Sequence, residues 1–229
     1  MRRTRWSLTG ASPSYKAEAA HNLYLPAGAV TTPLCASLLR GGVTMNHWQL
    51  KEAVRCLNSG GVIAYPTEAV WGLGCDPYNR QAVQRLLELK RRPEHKGLIL
   101  VAADESQIEP LLAPLSAAQR QCLRDTWPGP NTWLLPDPKN LVPRWVKGCH
   151  SPVAVRVSAH PLVQALCHAY GGPIVSTSAN RSAAEPARSK LKVSAYFGSS
   201  LDFIIPGELG GLGKPTVIRN IQDMQTIRA

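Results

Sequence analysis

From residue 45 onward, short apolar runs alternate with stretches patterned for helix, and this rhythm constrains the fold more than any single residue does. Residues 61–65, 98–102, 132–135, 153–157, 174–176, 203–205 and 216–218 are apolar runs of strand length. Asn46 is a plausible N-cap with Gln49 three residues on, and Leu50, Ala53, Val54 and Leu57 recur at helical spacing until Gly60-Gly61 stops the run. Asn79 opens a second helix, carrying Ala82, Val83, Leu86, Leu87 and Leu89 before Pro93 closes it. Further helices are predicted at 115–127, 161–170 and 191–197. Such alternation builds an α/β layer structure around a largely central sheet.

Residues 1–44 break the rhythm. Pro13, Pro26, Gly28, Pro33 and Gly41-Gly42 punctuate them without a sustained pattern. The folded domain is therefore expected to span residues 45–229, behind a flexible leader or an over-long N-terminal extension at 1–44. The basic opening Met-Arg-Arg-Thr-Arg does not read as an export signal, because Ser12, Lys16, Glu18, His21 and Asn22 interrupt any apolar core behind it. No run approaches the roughly eighteen apolar residues of a membrane span. The six cysteines include no Cys-x-x-Cys pair, so neither a zinc site nor a redox dithiol is expected, and a reducing cytoplasm is the default compartment.

The net charge is +11, of which +4 belongs to residues 1–44 and +7 to the domain. That excess points to an anionic partner, whether nucleic acid, a phosphorylated ligand or a membrane surface, although a basic surface kept for solubility is the plainer reading. The common nucleotide loops are absent. In residues 207–216 a P-loop would need Gly where Glu208 stands and Ser or Thr where Pro215 follows Lys214, and Pro77 takes the place of the third glycine after Gly72-Leu-Gly74. There is no His-Glu-x-x-His and no Gly-x-Ser-x-Gly, which removes support for zinc or serine hydrolase chemistry.

Four clusters sit where strands should end and loops begin, the usual place for sites in α/β folds. Tyr65-Pro-Thr-Glu-Ala-Val-Trp-Gly-Leu-Gly74 follows a strand with a hydroxyl, a carboxylate and close glycines, and reads either as a ligand loop or as a strand-to-turn passage. Lys90-Arg91-Arg92 and Lys96, bounded by Pro93 and Gly97, can converge on phosphate oxygens or simply complete a basic helix end. Trp127-Pro-Gly-Pro-Asn-Thr132 is a rigid turn that presents Thr132, and the next strand carries Arg156, a residue costly to bury unless it meets an anion or a polar cavity. In the fourth, an apolar strand runs into Ser176-Thr-Ser-Ala-Asn180, a row of donors and acceptors suited to a nucleotide, sugar or phosphate.

In order and wording, from Met45 nearly to the end, these segments resemble the YrdC-like family of threonylcarbamoyl-AMP synthases, in its short single-domain bacterial form. The resemblance rests on Tyr-Pro-Thr-Glu…Gly-Leu-Gly, Lys90-x-Arg92, Trp-Pro-Gly-Pro-x-Thr, Val-Arg-Val and Ser176-Thr-Ser-Ala-Asn180. It implies a twisted mixed sheet with flanking helices around a large basic concave cavity. It also implies synthesis of L-threonylcarbamoyladenylate and pyrophosphate from L-threonine, bicarbonate or CO2, and ATP. Magnesium would accompany the ATP, with no protein-built metal cage. The product would go to the downstream tRNA threonylcarbamoyl transferase complex, which modifies adenosine 37 in tRNAs reading ANN codons.

By the same resemblance, Lys90, Arg92, Ser178 and Asn180 form a catalytic tetrad around the ATP phosphates. Thr67, Lys96, Arg156 and Ser176 line the threonine and carbonate end, and Thr132 faces the nucleotide. Arg156 suits the threonine carboxylate because its fork matches that group bidentately. The chain departs from the family pattern at Arg181-Ser-Ala-Ala184 and at Lys214-Pro-Thr-Val-Ile-Arg219. Two rival readings remain: an RNA-binding module that holds tRNA or double-stranded RNA without chemistry, and a carbamoyl-adenylate enzyme. The first lacks an RNP-like aromatic stripe, having only two Phe. The second normally belongs to longer multidomain chains.

Overall fold

The computed structural model describes residues 46–213 and 216–228. The expected leader at 1–44 and the expected domain start at Met45 lie outside the described residues, as do Lys214 and Pro215. The first helix, α1 (His47–Asn58), begins with the capping box that its sequence predicts: Gln49 N donates to Asn46 Oδ1 and Asn46 N to Gln49 Oε1, both at 2.9 Å. A hairpin follows, of β1 (Ile63–Pro66) and β2 (Trp71–Gly74). Asn79 caps α2 (Arg80–Lys90), which ends on Arg91 in the left-handed conformation. Next come β3 (Ile99–Ala102), two short helices, α3 (Glu109–Leu112) and α4 (Ala117–Arg124), then β4 (Asn131–Leu135) and α5 (Arg144–Lys147). β5 (Val153–Val157), α6 (Pro161–Tyr170), β6 (Ile174–Ser178), α7 (Lys190–Phe197), β7 (Phe203–Ile204), β8 (Val217–Asn220) and β9 (Thr226–Arg228) complete the order.

Among the described residues the strands form a nine-stranded sheet in the order β7-β1-β2-β6-β3-β5-β4-β8-β9. Parallel pairs β1–β7, β3–β5 and β4–β8 join antiparallel ones, so the α/β architecture expected from the sequence is a mixed sheet with flanking helices. Successive residues of a strand point to opposite faces. On one face Ala64, Leu73, Leu100, Trp133, Val155 and Val175 share a large core. On the other, Ile63, Tyr65, Val101 and Ile174 pack with Ala53 and Leu57 of α1 and with Val163 and Leu166 of α6. Burial on both faces explains why several strands read as unbroken apolar runs. The two-residue period also fixes the exceptions. With Val153, Val155 and Val157 in the large core, Ala154 and Arg156 face the opposite side, as does Ser176 beside Val175.

Several segments differ from the sequence reading, among them the short helices α3 and α5, which it does not contain. Where a strand-to-turn passage is expected after Tyr65, the chain returns as β2. Its glycines hide it: a Cβ on Gly74 would lie 2.7 Å from the Val175 carbonyl and 2.8 Å from the Tyr65 ring, so that close approach admits no side chain. The helix expected over 115–127 is shorter, since Ser116 caps α4 and the chain leaves the helix after Arg124 to bury Trp127. β9 carries no apolar run, its three residues being exposed, and it forms by pairing with β8.

Candidate active site

Over the second face of the sheet lies a cavity of about 390 Å3. Of the residues singled out in the sequence, Thr67, Arg92, Lys96, Arg156, Ser176 and Ser178 line it, whereas Lys90, Asn180 and Thr132 do not. Strand register collects the lining groups. β6 places Ser176 opposite Ile99 of β3 and Ser178 opposite Gly72 of β2, while Arg156 of β5 pairs with Val101.

Lys90 forms the frame of one corner. The last side chain of α2, it is buried, and its Nζ donates to the Ser178 carbonyl, to the Asn180 carbonyl at 2.8 Å and to Asn180 Oδ1 at 3.3 Å. Burial, and then the charge of Arg92, push its pKa down to about 7. Ser178 Oγ donates to Asn180 Oδ1 at 2.6 Å, and Asn180 Nδ2 donates to the Ala184 carbonyl at 2.6 Å. The loop is tied from the other side too, where Ser182 N donates to the Lys90 carbonyl and Ser182 Oγ to the Arg91 carbonyl, both at 2.8 Å. Lys90, Ser178 and Asn180 are thus knitted to one another.

Arg92 turns toward the cavity. Its Nη2 donates to the Gly97 carbonyl at 2.9 Å and to the Lys96 carbonyl at 3.2 Å, which braces the loop carrying Lys96. Gly97, at φ 60°, lets that loop press against residue 147, since a Cβ there would meet the Lys147 carbonyl at 2.6 Å. Burial, and then the neighbouring Arg228, disfavour the Arg92 charge. Lys147 at the wall is neutralised by Asp137 at 2.9 Å, but Lys96 has no ion pair among the described residues. Thr67 closes the hairpin by donating from Oγ1 to the Val70 carbonyl at 2.7 Å, and its lone pairs remain available at the cavity wall. Thr132 is fully buried with its hydroxyl unpartnered, one turn of the strand pattern away from the lining residue Leu134.

Two functional groups escaped the sequence reading. Glu68 belongs to the Tyr-Pro-Thr-Glu motif, which by itself gives it no role; in the fold Arg156 Nη2 lies 3.6 Å from Glu68 Oε2, both side chains being buried. Burial would raise the Glu68 pKa, but Arg156 and the hydrogen bond from Ser158 outweigh it and hold the carboxyl below its ordinary value. The other is Arg228, whose Nη2 donates to the Thr216 carbonyl at 3.1 Å and whose side chain lines the cavity. No spacing announces it, because only the pairing of Ile218 with Arg228 brings the tail alongside. Arg92, Lys96, Arg156 and Arg228 therefore share one cavity with the hydroxyls of Thr67, Ser176 and Ser178, and the four cations make a donor set suited to several anionic groups at once.

A family model for Sua5, YciO and YrdC proteins, described as "Telomere recombination", matches residues 55–229. The chain belongs to the Sua5/YciO/YrdC family. Within it, the chain is 55% identical over 173 residues to the threonylcarbamoyl-AMP synthase of Halorhodospira halophila, covering 76% of this chain and 90% of that protein. Identity is also 55% over 184 residues to the threonylcarbamoyl-AMP synthase of Pseudomonas aeruginosa, covering 80% of this chain and 98% of that one. Among solved family structures, P. abyssi Sua5 complexed with L-threonine matches at a TM-score of 0.73 and 30% identity, over 79% of this chain. The match covers 53% of Sua5, so this chain spans about half of its length.

Proposed function

We infer that this chain is a threonylcarbamoyl-AMP synthase, which converts L-threonine, bicarbonate or CO2, and ATP to L-threonylcarbamoyladenylate and pyrophosphate. The observation that carries this reading is the convergence of Arg92, Lys96, Arg156 and Arg228 with Thr67, Ser176 and Ser178 around one cavity. The family relationship supports it, because the relatives from H. halophila and P. aeruginosa bear that name over nearly their whole length.

The chemistry needs what the cavity offers. The threonine amine captures CO2 as a carbamate, losing a proton; a carbamate oxygen then attacks the α-phosphorus of ATP, and pyrophosphate leaves with the electron pair of the broken P–O bond. The carbamate and ATP are both anionic, so the main tasks are to hold them in line and to stabilise charge at transfer. Arg156 takes the threonine carboxylate with its fork, Thr67 and Ser176 orient the carbamate end, and Lys96 offers a point charge between the two substrates. Arg92 and Arg228 meet the phosphates, and Ser178 donates to a phosphate oxygen by turning its one hydroxyl proton away from Asn180 Oδ1. Lys90 and Asn180 act one step back, by fixing the loop that presents Ser178. Thr132 serves the nucleotide end only indirectly, as part of the strand behind it.

Magnesium enters as the ATP complex. No group of three or more His, Cys, Asp or Glu among the described residues would hold a metal ion, and a wall of cations and hydroxyls suits phosphate oxygens better than a bare cation. The adenylate would pass to a tRNA threonylcarbamoyl transferase complex for modification of adenosine 37 in tRNAs reading ANN codons. A cytoplasmic setting agrees with the free cysteines at 56, 75, 122, 149 and 167; no helix among the described residues is long and apolar enough to cross a membrane.

The test is product formation. Purified protein given threonine, bicarbonate and MgATP should release pyrophosphate only when all three are present, with the adenylate identified by mass. Pyrophosphate formed from carbamoyl phosphate and ATP instead would point to a carbamoyl-adenylate enzyme. RNA retention without any pyrophosphate would favour the binding-module reading.

A further inference from the structure

Glu68 stands behind Arg156 rather than in the cavity. Both of its oxygens are accounted for differently. Oε1 accepts from Ser158 Oγ at 2.6 Å, and Ser158 Oγ in turn accepts from His160 N at 3.1 Å. Oε2 is buried without a hydrogen bond and faces Arg156 Nη2 at 3.6 Å, an ion-pair distance too long for a hydrogen bond. The backbone that carries Glu68 is clamped by the segment that crosses it: Gly210 N donates to the Thr67 carbonyl at 3.0 Å and Leu212 N to the Glu68 carbonyl at 2.9 Å. On the same segment, the Glu208 carbonyl lies 3.1 Å from His160 Nε2. Glu68 is thus held from its own backbone, from β5's end and from the crossing segment.

Arg156 is the opposite case. Its guanidinium is buried, lines the cavity and makes no hydrogen bond among the described residues; Nε is buried without a partner. A buried guanidinium with uncommitted donors is costly unless a charge offsets it. Glu68 supplies that charge from the rear and leaves the fork unspent. We propose that Glu68 is a positioning residue that aims the Arg156 fork at the carboxylate of the amino-acid substrate, an inference resting on the placement of threonine against Arg156.

Without the Glu68 charge, the guanidinium is drawn to the next available anion, the ATP phosphates, and threonine loses its partner. Glu68→Gln preserves the volume and an acceptor for Ser158 while removing only the charge. Pyrophosphate release should show the threonine KM rising about tenfold or more, with kcat and the ATP KM changed less than about threefold, the pattern of lost uniform binding to one substrate. Ser158→Ala, which keeps the charge but frees Oε1, should raise the threonine KM roughly threefold in the same selective way. A threonine KM that stays level or falls in Glu68→Gln, or an ATP KM that rises equally, overturns the proposal. Thermal melts check both variants; if Glu68→Gln does not fold, an unchanged threonine KM in Ser158→Ala is decisive against it. Arg156→Ala separates the two layers. If it leaves the threonine KM unchanged, the placement of threonine falls and takes the role of Glu68 with it. If it raises that KM while Glu68→Gln does not, only the role of Glu68 falls.

Discussion

At the α2–β6 corner of the cavity the polar groups are spent on one another, while at the β5–hairpin corner they are held in reserve. Lys90 gives its protons to Ser178 and Asn180, and Asn180 uses both ends of its amide on Ser178 and Ala184. Arg156 gives none of its protons away among the described residues and is steadied only by the charge of Glu68 at 3.6 Å. Both cations are buried and both belong to motifs that suggest phosphate or carboxylate binding. The difference is where acceptors lie. The loop after β6 brings carbonyls onto Lys90, whereas β5 points Arg156 at open volume. Motif membership therefore mixes two kinds of residue, those that build the shape of the site and those that leave their donors free toward the cavity.

The largest effects should separate these kinds by stability. Arg92→Ala removes a guanidinium from the cavity wall, and its rate of pyrophosphate release should drop by about two to three orders of magnitude, as when a donor to developing charge is lost. Its hydrogen bonds go to two loop carbonyls at the cavity rim, so denaturant unfolding should show a loss of only about 1 kcal/mol. Lys90→Met keeps the length but takes away the donor of the Asn180 carbonyl and leaves the Ser178 carbonyl only the Asn180 N–H at 3.0 Å, and unfolding should show a loss of roughly 2 kcal/mol alongside reduced activity. A Lys90 variant as stable as the wild type yet inactive would erase the distinction and place the ammonium on the substrate.

Why the two corners look alike in the sequence is a matter of distance along the chain. Arg156 was legible because β-strand alternation is local: Val153, Val155 and Val157 fix the core face, so the residue between them must face away. The capping boxes of α1 and α4 are equally local. The acceptors of Lys90 lie 88 and 90 residues downstream, and nothing in Leu-Lys-Arg-Arg announces them. Glu68 and Ser158 stand 90 residues apart. β2 escaped notice because close packing against β1 and β6 requires glycines, which read as a turn, and Arg228 because an exposed tail strand has no apolar pattern to find. The α/β rhythm and most of the cavity wall were readable from short windows; the division of labour inside the wall depended on the tertiary pairing of distant segments.

Acid should expose the ion pair at the open corner. Burial would raise the Glu68 carboxyl, but Arg156 and the Ser158 hydrogen bond, with His160 nearby, hold it below its usual value of 4.5. A depressed carboxyl contributes stability that is full above the unfolded value and is lost as pH falls through the folded one. Wild type should therefore exceed Glu68→Gln in melting temperature at pH 7, and the gap should close below pH 4.5 as the wild-type carboxyl takes up its proton. A gap that stays constant from pH 7 into acid would mean that the difference comes from packing and not from charge.

The smallest effect should come from Ser178, which belongs to both corners' logic. Its hydroxyl donates to Asn180 Oδ1 at 2.6 Å, as a frame residue would, yet its side chain also lines the cavity. Because Lys90 still donates to Asn180 Oδ1 at 3.3 Å, Ser178→Ala leaves that oxygen with a partner and should cost only about 1 kcal/mol of stability. The proposed contact to phosphate is one neutral hydrogen bond among several cations, so kcat/KM for ATP should fall by roughly tenfold, far less than for Arg92→Ala. If the Ser178 variant loses as much activity as Arg92→Ala, the hydroxyl is a principal contact of the transition state, and the frame at this corner exists to hold that one oxygen in place.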